Sequence, residues 1–348
     1  MIALHCYNSR THLNTKIGLD LTSSNLQGEL HPNSTLFKLR HLQQLNLAFN
    51  YFSFSSLPVS IGDLVSLTHL NLSNCLLGAD IPSQISHLSK LVSLDLSRNS
   101  VMDLNPLTWK KFIHNATNLG ELNLDYVDMS SIEVSSLSML KNLSSSLVSL
   151  SLRGTGLQGY LSSDILTLPN LQTLDLSFNK YLSAQLPKSN WSNPLRYLDL
   201  SYSTFSGEIP YSIGQLMSLT HLNLAGNNFE GEIPSLLSKL TNLISLDLGY
   251  NKFSGNISNV FENLIKLEYL DLSRNKLVGP IPRKIANHSK LTILYLRDNM
   301  LNGTIPHWCI IWLLCYIWTS VTITSQDSLI SLITTFRGEF PNGFKRSS

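Results

Sequence analysis

A pattern of leucines recurs along this chain with a fixed period of 24 residues. Copies of L-x-x-L-x-L open at Leu147, Leu171, Leu195, Leu219, Leu243, Leu267 and Leu291. A period of this size, kept over many copies, is typical of a solenoid, in which each repeat contacts only its neighbours and no central core is needed. The repeat therefore constrains the fold more strongly than the length of 348 residues, which alone would allow two or three domains.

The spacing of the leucines predicts one short β-strand in each repeat. The last two leucines of L-x-x-L-x-L stand two residues apart, so they point to one side of a strand while the residues between them face outward. One such strand cannot bury its apolar side alone, and stacked repeats join their strands into a parallel sheet. We therefore expect an α/β-type leucine-rich-repeat solenoid, a right-handed superhelix, with a concave parallel β-sheet and a mostly irregular or 3₁₀ convex side.

Weaker copies extend the pattern toward the N-terminus and give about 12 repeats in total. Repeats 1–12 open at residues 16, 42, 67, 91, 119, 147, 171, 195, 219, 243, 267 and 291. The predicted domains are an atypical N-terminal segment at 1–15, a leucine-rich-repeat domain at 16–308 and a divergent apolar and polar tail at 309–348. Repeats 4 and 5 each span 28 residues, so their extra residues are predicted to loop out on the convex side or at an edge.

Two other positions of the repeat predict how the coil turns. Most repeats carry asparagine eight residues after the opening leucine, where a buried amide can bond backbone groups of its own and adjacent coils. The ladder is expected to be weaker where that position holds Cys75, Val127, Thr155 or Ser203. Several repeats continue with Gly-x-Ile-Pro, which favours a short extended edge followed by irregular or 3₁₀ backbone.

Both ends of the chain depart from the pattern. Residues 1–10 contain no apolar stretch long enough for a signal peptide. Residues 308–324 form a run of 17 uncharged residues, which is the lower limit for a membrane span, and basic residues follow downstream. A divergent repeat would explain the same run, so both interpretations stay open.

The complete repeat reads L-x-x-L-x-L-x-x-N-x-[LF]-x-G-x-[IL]-P and resembles the extracellular repeat of plant receptor-like proteins and receptor-like kinases. Residues 219–234 show it in full, and residues 17–37 and 39–50 resemble the first repeats of disease-resistance receptor-like proteins. The resemblance implies a ligand-recognition ectodomain at the extracellular face of the plasma membrane. Its implied role is defence or developmental signalling, with a peptide or protein ligand and a co-receptor kinase as partners.

The resemblance also sets expectations about the ends. Members of that family carry a signal peptide, cysteine-bearing caps and a membrane helix, whereas only Cys6 stands near the start of this sequence. We therefore expect a truncated ectodomain, whose membrane association depends on a missing or divergent C-terminal segment. Two alternatives stay open: a secreted leucine-rich-repeat inhibitor of a pathogen's cell-wall-degrading enzyme, and a nonfunctional receptor fragment.

The residues give no indication of catalysis. The motifs G-x-S-x-G and H-E-x-x-H, the P-loop and the kinase signatures are absent. Aspartates at 95, 175, 199, 247 and 271 recur because the repeat recurs, and we interpret them as structural. The net charge of +2, with 14% charged residues, argues against a nucleic-acid partner. We predict a protein that is not an enzyme and needs no cofactor or metal.

Sequons for N-glycosylation are frequent, as expected of a secreted glycoprotein surface. They occur at Asn33, Asn71, Asn115, Asn142, Asn190, Asn256, Asn287 and Asn302. Asn71 falls on a predicted strand, so its glycan would lie on the concave face.

The outward positions of the strands form the candidate ligand site, because they vary while the leucines do not. Aromatic residues and arginine are enriched at interaction hot spots, and stacked repeats would bring them together on one concave patch. Incidental variation of the repeat is the alternative, since single exposed aromatics are normal. The arginines of the patch would suit a carboxylate of the ligand. The predicted ligand-binding residues are Phe178, Arg196, Tyr197, Tyr202, Tyr250, Tyr269 and Arg274.

Overall fold

The computed structural model describes residues 17–303 except residues 144, 258, 283, 284 and 286–289. Its main feature is a parallel sheet of 12 strands that follow one another in chain order, one strand for each repeat. The strands are Gly18–Asp20, Gln44–Asn46, His69–Asn71, Ser93–Asp95, Glu121–Asn123, Ser149–Ser151, Thr173–Asp175, Tyr197–Asp199, His221–Asn223, Ser245–Asp247, Tyr269–Asp271 and Ile293–Tyr295. This sheet forms the concave face and confirms the predicted leucine-rich-repeat solenoid.

The register of the sheet follows the 24-residue period. Leu222 is paired with Leu198 on one side and with Leu246 on the other, so equivalent residues lie side by side along the whole face. The leucines are buried as predicted, with relative exposures of 1% for Leu222 and 0% for Leu246. Phenylalanines continue the stack further round the coil, and the rings of Phe229 and Phe253 lie parallel with centroids 6.3 Å apart.

The asparagine column forms a hydrogen-bonded ladder inside the coil. The Nδ2 of Asn99 donates to Leu96 O in its own repeat at 2.9 Å and to Leu72 O in the preceding repeat at 2.8 Å. Cys75 occupies the same position in repeat 3, where its thiol donates to Leu47 O at 3.0 Å. Burial raises the pKa of this thiol to about 11, so it stays protonated and structural.

Short extended segments follow the ladder and form lateral sheets beside the main one. They are Gly78–Asp80, Val101–Asp103, Gln158–Tyr160, Tyr181–Ser183, Ser206–Gly207, Asn228–Glu232, Lys252–Ser254, Val278–Gly279 and Met300–Leu301. These strands pair in parallel in groups of two or three. They correspond to the short extended edge that Gly-x-Ile-Pro predicts.

The convex side consists mainly of 3₁₀ helices, as the sequence predicts. In the part of the chain that the structure describes, they are Thr35–Lys38, Val59–Asp63, Ser83–His87, Val134–Leu143, Tyr211–Gln215, Ser235–Lys239 and Asn259–Asn263. A proline stands immediately before four of them, because its fixed φ suits the extended residue at the helix start.

The extra residues of repeats 4 and 5 do not loop out, which corrects the prediction. Repeat 4 contains the α-helix Pro106–Asn115, which packs against the 3₁₀ helices of the repeats on either side. Asn105 caps this helix by accepting the Thr108 N–H at 2.9 Å. Trp109, Phe112 and Ile113 are buried at helical spacing, so the inserted residues add to the core. Repeat 5 instead forms the long 3₁₀ helix Val134–Leu143.

The predicted domain boundaries stay predictions, because residues 1–15 and 309–348 lie outside the described residues. The candidate membrane segment 308–324 lies there as well. Within the described part of 17–303, none of the helices has the length and apolar character to cross a membrane.

Candidate functional site on the concave face

The centre of the concave face carries the recurring aspartates. In all five of these repeats, the first carboxylate oxygen accepts the backbone N–H two residues further on. The distances are 2.9 Å for Asp95, 2.9 Å for Asp175, 2.8 Å for Asp199, 2.9 Å for Asp247 and 2.7 Å for Asp271. This bond closes the turn after each strand and explains the recurrence structurally.

The same aspartates are crowded. Burial, reinforced by the charges of neighbouring aspartates, raises the pKa of Asp175 to about 6. Burial together with Asp271 and Asp199 likewise raises the pKa of Asp247 to about 6. The central column therefore holds carboxylates whose negative charges are close to one another and lack full solvation.

Beside the aspartates runs a column seven residues after each opening leucine, here called the aromatic column: Phe178, Tyr202, Gly226, Tyr250 and Arg274. Each residue of this column adopts a left-handed backbone conformation, with φ of 59° at Phe178, 51° at Tyr202 and 53° at Tyr250. Each also donates its N–H to the following repeat, as Tyr202 does to Ala225 O at 2.8 Å. The backbone that carries these side chains is therefore fixed by the stack itself.

The side chains of the aromatic column contact one another across repeats. The ring centroids of Phe178 and Tyr202 are 4.7 Å apart, and the guanidinium carbon of Arg274 lies 4.6 Å from the centroid of Tyr250. Arg274 Nε is also 3.1 Å from Asp298 Oδ2. The rings remain accessible, with relative exposures of 43% for Phe178, 47% for Tyr202 and 37% for Tyr250.

Two glycines make room for tyrosine rings on this face. A Cβ placed at Gly226 would lie 2.8 Å from a ring carbon of Tyr202, and one placed at Gly154 would lie 2.8 Å from ring carbons of Tyr126. Each tyrosine therefore lies over the glycine of the next repeat. The sequence shows both glycines, but their pairing with these rings follows only from the contacts.

The remaining predicted site residues lie on the other side of the aspartates. Tyr197 and Tyr269 are half-buried at the start of their strands, and their hydroxyls approach Asp199 Oδ2 at 3.4 Å and Asp271 Oδ2 at 3.5 Å. Burial raises the pKa of both tyrosines, followed by the charge of Asp199 at Tyr197 and by the charges of Asp247 and Asp271 at Tyr269. Arg196 is exposed just before its strand and lies at the border of the face.

Arg153 is a member of this surface that the sequence analysis missed. Its Nη1 lies 3.0 Å from Ser177 Oγ and 4.0 Å from Asp175 Oδ2, and its guanidinium carbon lies 4.2 Å from the ring centroid of Phe178. Its Nε donates to the Tyr126 hydroxyl at 2.9 Å. The only signal in the sequence is a basic residue one position before Gly154, which stands at the same repeat position as the aromatic column.

The sequons leave most of the concave face uncovered. Asn71 lies on the strand of repeat 3, half-buried, and its Oδ1 accepts the Ser73 N–H at 2.9 Å. Six others are exposed and lie outside the concave strands: Asn33, Asn115, Asn142, Asn190, Asn256 and Asn302. Asn287 lies outside the described residues. The concave strands of repeats 4–12 contain no sequon, and the aromatic column contains none either.

The face has the chemistry of a binding surface. It presents exposed rings, a guanidinium and partly desolvated carboxylates on a rigid sheet. Among the residues that the structure describes, no group of histidine, cysteine, aspartate and glutamate side chains could hold a metal ion. The fold and this face define a repeat protein with an extended concave surface, the kind of surface that solenoid proteins use to bind partners.

Comparison with known families agrees with the fold. The family described as "Leucine-rich repeat region" matches residues 18–194, which is about half of the chain. The family described as "Leucine Rich Repeat" matches residues 194–216, 218–240, 242–264, 266–288 and 290–310. The chain belongs to the leucine-rich-repeat family.

Its similar sequences include plant receptor-like proteins. It is 39% identical over 205 residues to Receptor-like protein 6 of Arabidopsis thaliana, an alignment that covers 58% of this chain and 20% of the relative. It is 39% identical over 205 residues to Receptor-like protein Cf-9 of Solanum pimpinellifolium, covering 58% of this chain and 23% of the relative. The aligned part thus spans about a fifth of these relatives, and they support the resemblance to plant receptor-like proteins.

Similar solved structures include receptors. A TDR receptor superposes with a TM-score of 0.71 at 28% identity, covering 85% of this chain and 49% of that one. The ectodomain of the receptor kinase GASSHO1/SCHENGEN3 from Arabidopsis thaliana, in complex with CASPARIAN STRIP INTEGRITY FACTOR 2, superposes with a TM-score of 0.68 at 28% identity. It covers 88% of this chain and 38% of that one. These matches support the prediction of a leucine-rich-repeat solenoid that is not an enzyme.

Proposed function

We propose that this chain is the ligand-recognition part of a plant cell-surface receptor-like protein and binds a peptide or protein on its concave face. One observation carries the proposal: bulky side chains occupy backbone positions with φ of 51–59°, where glycine would be the least strained residue. A left-handed conformation costs a residue with a side chain about 1–2 kcal/mol. Phe178, Tyr202 and Tyr250 adopt this strained conformation, and their rings nevertheless stay partly exposed.

Such rings suit recognition for a physical reason. Aromatic side chains bring a large contact area and have few rotatable bonds, so they lose little entropy when a ligand covers them. Here the backbone beneath them is already held by hydrogen bonds to the next repeat. Pre-organisation of this kind lowers the free-energy cost of binding. The predicted residues Phe178, Tyr202 and Tyr250 are therefore proposed as the ligand anchors, with Tyr197 and Tyr269 beside them.

Arg196 and Arg274 are proposed for the border of the same site. Arg196 is exposed and suits a carboxylate of the ligand. Arg274 already contacts Asp298 and the Tyr250 ring, so a ligand carboxylate would have to compete with Asp298 for its guanidinium.

The finer parts of the proposal rest on the resemblance and on the sequons. We place the protein at the extracellular face of the plasma membrane, with N-glycans on the sequons outside the concave strands and one at Asn71. A co-receptor kinase is the proposed signalling partner, in defence or development. The sequon-free strands of repeats 4–12 are consistent with a face that stays open to a ligand.

The proposal is tested with the secreted, glycosylated chain, which is used to select binders from a displayed library of extracellular peptides. The affinity of an enriched peptide is then measured by calorimetry. The variant carrying Tyr202→Ala and Tyr250→Ala should bind about 30-fold more weakly, or about 2 kcal/mol, because it lacks two anchors.

The matched control replaces Tyr160 and Tyr181 by alanine, since both rings are 64% exposed but lie on a lateral sheet. Its affinity should stay within about threefold of wild type, a change of less than 1 kcal/mol. Equal losses in the two variants, or none in the concave one, would place the site elsewhere. Selective inhibition of a cell-wall-degrading enzyme by the secreted chain would favour the inhibitor alternative.

A further inference from the structure

One arginine of the chain, Arg153, is bound on the concave face by a carboxylate and a hydroxyl of the next repeat. Arg153 belongs to repeat 6 and extends toward repeat 7, where Asp175 and Ser177 receive its guanidinium at 4.0 Å and 3.0 Å. Ser177 Oγ in turn donates to Asp175 Oδ1 at 2.5 Å. A carboxylate and a hydroxyl, two residues apart on one repeat, thus hold a guanidinium that comes from the preceding repeat.

The same frame recurs four repeats later without the arginine. Asp271 and Ser273 of repeat 11 stand 96 residues after Asp175 and Ser177, and Gly249 of repeat 10 stands 96 residues after Arg153. A Cβ placed at Gly249 would lie 3.0 Å from Asp271 Oδ1 and 3.2 Å from Asp247 Oδ1. Two carboxylates therefore converge on the glycine that replaces the arginine.

The hydroxyl of this frame is unsatisfied. Ser273 has a relative exposure of 1%, and its Oγ has no hydrogen-bond partner among the described residues. Its equivalent Ser177 bonds both the central carboxylate and the cation with its Oγ, whereas the Ser273 hydroxyl, at the same repeat position, makes no bond to Asp271. A buried polar atom without a partner is uncommon in native proteins, and a donor in the ligand would satisfy it.

The surrounding charges favour a positive ligand group. Asp247 and Asp271 lie on adjacent strands, directly opposite one another in the sheet register. The pKa of Tyr202 is raised by burial and then by Asp247, Tyr250 and Asp271, so the charges of both carboxylates extend to the aromatic column. Arg274 pairs with Asp298. Among the described residues, no salt bridge joins a lysine or arginine to Asp247 or Asp271.

We propose that Asp247, Asp271 and Ser273 form a seat around Gly249 for an arginine side chain of the ligand. The ligand's guanidinium would take the place that the chain's own arginine takes in repeats 6 and 7. The inference deepens the proposed function and rests on it, since it names the chemistry of one ligand residue. It places that arginine beside Tyr202 and Tyr250, so that one ligand segment could contact both the rings and the carboxylates.

The test uses a probe in place of the natural ligand: acetyl-Ser-Arg-Ser-amide, compared with the same peptide carrying uncharged citrulline. Binding to the ¹⁵N-labelled full chain is followed by the backbone amide signals of Gly249 and Ser273. The arginine peptide should shift both signals in a saturable manner, and citrulline should bind at least tenfold more weakly. Equal binding of the two peptides, or no shift with arginine, would overturn the proposal.

Variants assign the effect to the seat. Asp247→Asn with Asp271→Asn should weaken arginine-peptide binding at least tenfold. The fold should persist, because Asn223 accepts the equivalent N–H of Ala225 at 3.1 Å with its amide oxygen. The matched control is Asp95→Asn, at the same position of repeat 4, where Ser97 replaces the glycine and Asp95 Oδ1 accepts the Ser97 N–H. An equal loss in the control would overturn the seat.

The arginine-peptide experiment can fail or succeed independently of the experiment that tests the proposed function. Loss of probe binding only in the double asparagine variant would support the seat, whatever the tyrosine variants do to a selected peptide. If the tyrosine pair proves necessary for peptide binding while the arginine probe fails, the concave site stands and the seat is wrong.

Discussion

Asn99 offers the sharpest test of what holds the coils together. Its side chain has a relative exposure of 1% and makes four hydrogen bonds of 3.1 Å or less to backbone groups, besides a longer one of 3.3 Å to Ser97 O. It donates to Leu72 O at 2.8 Å and to Leu96 O at 2.9 Å, and it accepts from Cys75 N at 3.1 Å and from Leu77 N at 3.0 Å. Asn99→Ala removes all four bonds and leaves their partners buried.

The magnitude follows from that count. A net contribution of about 1 kcal/mol for each of four hydrogen bonds gives a destabilisation on the order of 4 kcal/mol. Water cannot easily replace the amide, because the leucine stack encloses it on both sides. The matched control is Asn118→Ala, since Asn118 is exposed and makes one long bond of 3.5 Å to Ser89 O. That control should change the free energy of unfolding by less than about 0.5 kcal/mol.

Two measurements check the prediction. Urea unfolding followed by circular dichroism gives the loss of stability for each variant. Native-state hydrogen exchange reports locally, and the Cys75 and Leu77 amides should exchange much faster in Asn99→Ala, whereas amides several repeats away keep their protection. A loss below about 1 kcal/mol, with both amides still protected, would refute the view that the amide ladder satisfies these groups.

Three further predictions concern stability. Leu246→Ala should cost about 2–5 kcal/mol in urea unfolding, because a side chain with 0% exposure leaves a cavity between two repeats. The free energy of unfolding should be about 2–3 kcal/mol higher at pH 5 than at pH 7, measured by the urea midpoint. The pKa of Asp175 and of Asp247 is about 6 in the folded state, against an ordinary value of 3.8. Between these pH values the folded state binds more protons than the unfolded state, so stability falls as pH rises through 6. Replacing both aspartates by asparagine should flatten this dependence of stability on pH. Gly226→Ala should cost about 1–3 kcal/mol, because φ is 63° and the new Cβ would meet the Tyr202 ring, and Tyr202→Ala should remove part of that cost in a double-mutant cycle.

The architecture could be predicted from the sequence because it depends on spacing along the chain. The 24-residue step sets the register, so the burial of Leu222 and Leu246 and the asparagine ladder follow from position alone. The α-helix Pro106–Asn115 could not be predicted in this way, because it lies outside the regular spacing of the repeat. Its apolar residues have helical spacing, but they stand in an insertion, and the length of an insertion does not say whether it packs.

The candidate site could be predicted only in part. Phe178, Tyr202 and Tyr250 share one position of the repeat, so the stack brings them to one side of the face. The left-handed backbone beneath them was not apparent, because such φ values normally suggest glycine and these residues are bulky. Arg153 stands one position away from the column, and its contact with Phe178 depends on the path of a long side chain into the next repeat.

The uniform register has a consequence for how such a chain can change. Loss of residues 219–242 would remove one whole repeat and bring repeat 8 against repeat 10. Each leucine and each asparagine of the ladder would pack against an equivalent residue, so the contacts in the interior would be of the same type as before. The contacts on the surface would change, because Tyr202 now lies over Gly226 and would then face Tyr250. The gain or loss of a whole repeat can thus change which side chains lie next to each other on the ligand face while the core is kept. An insertion of any other length must first be accommodated by a bulge or a helix.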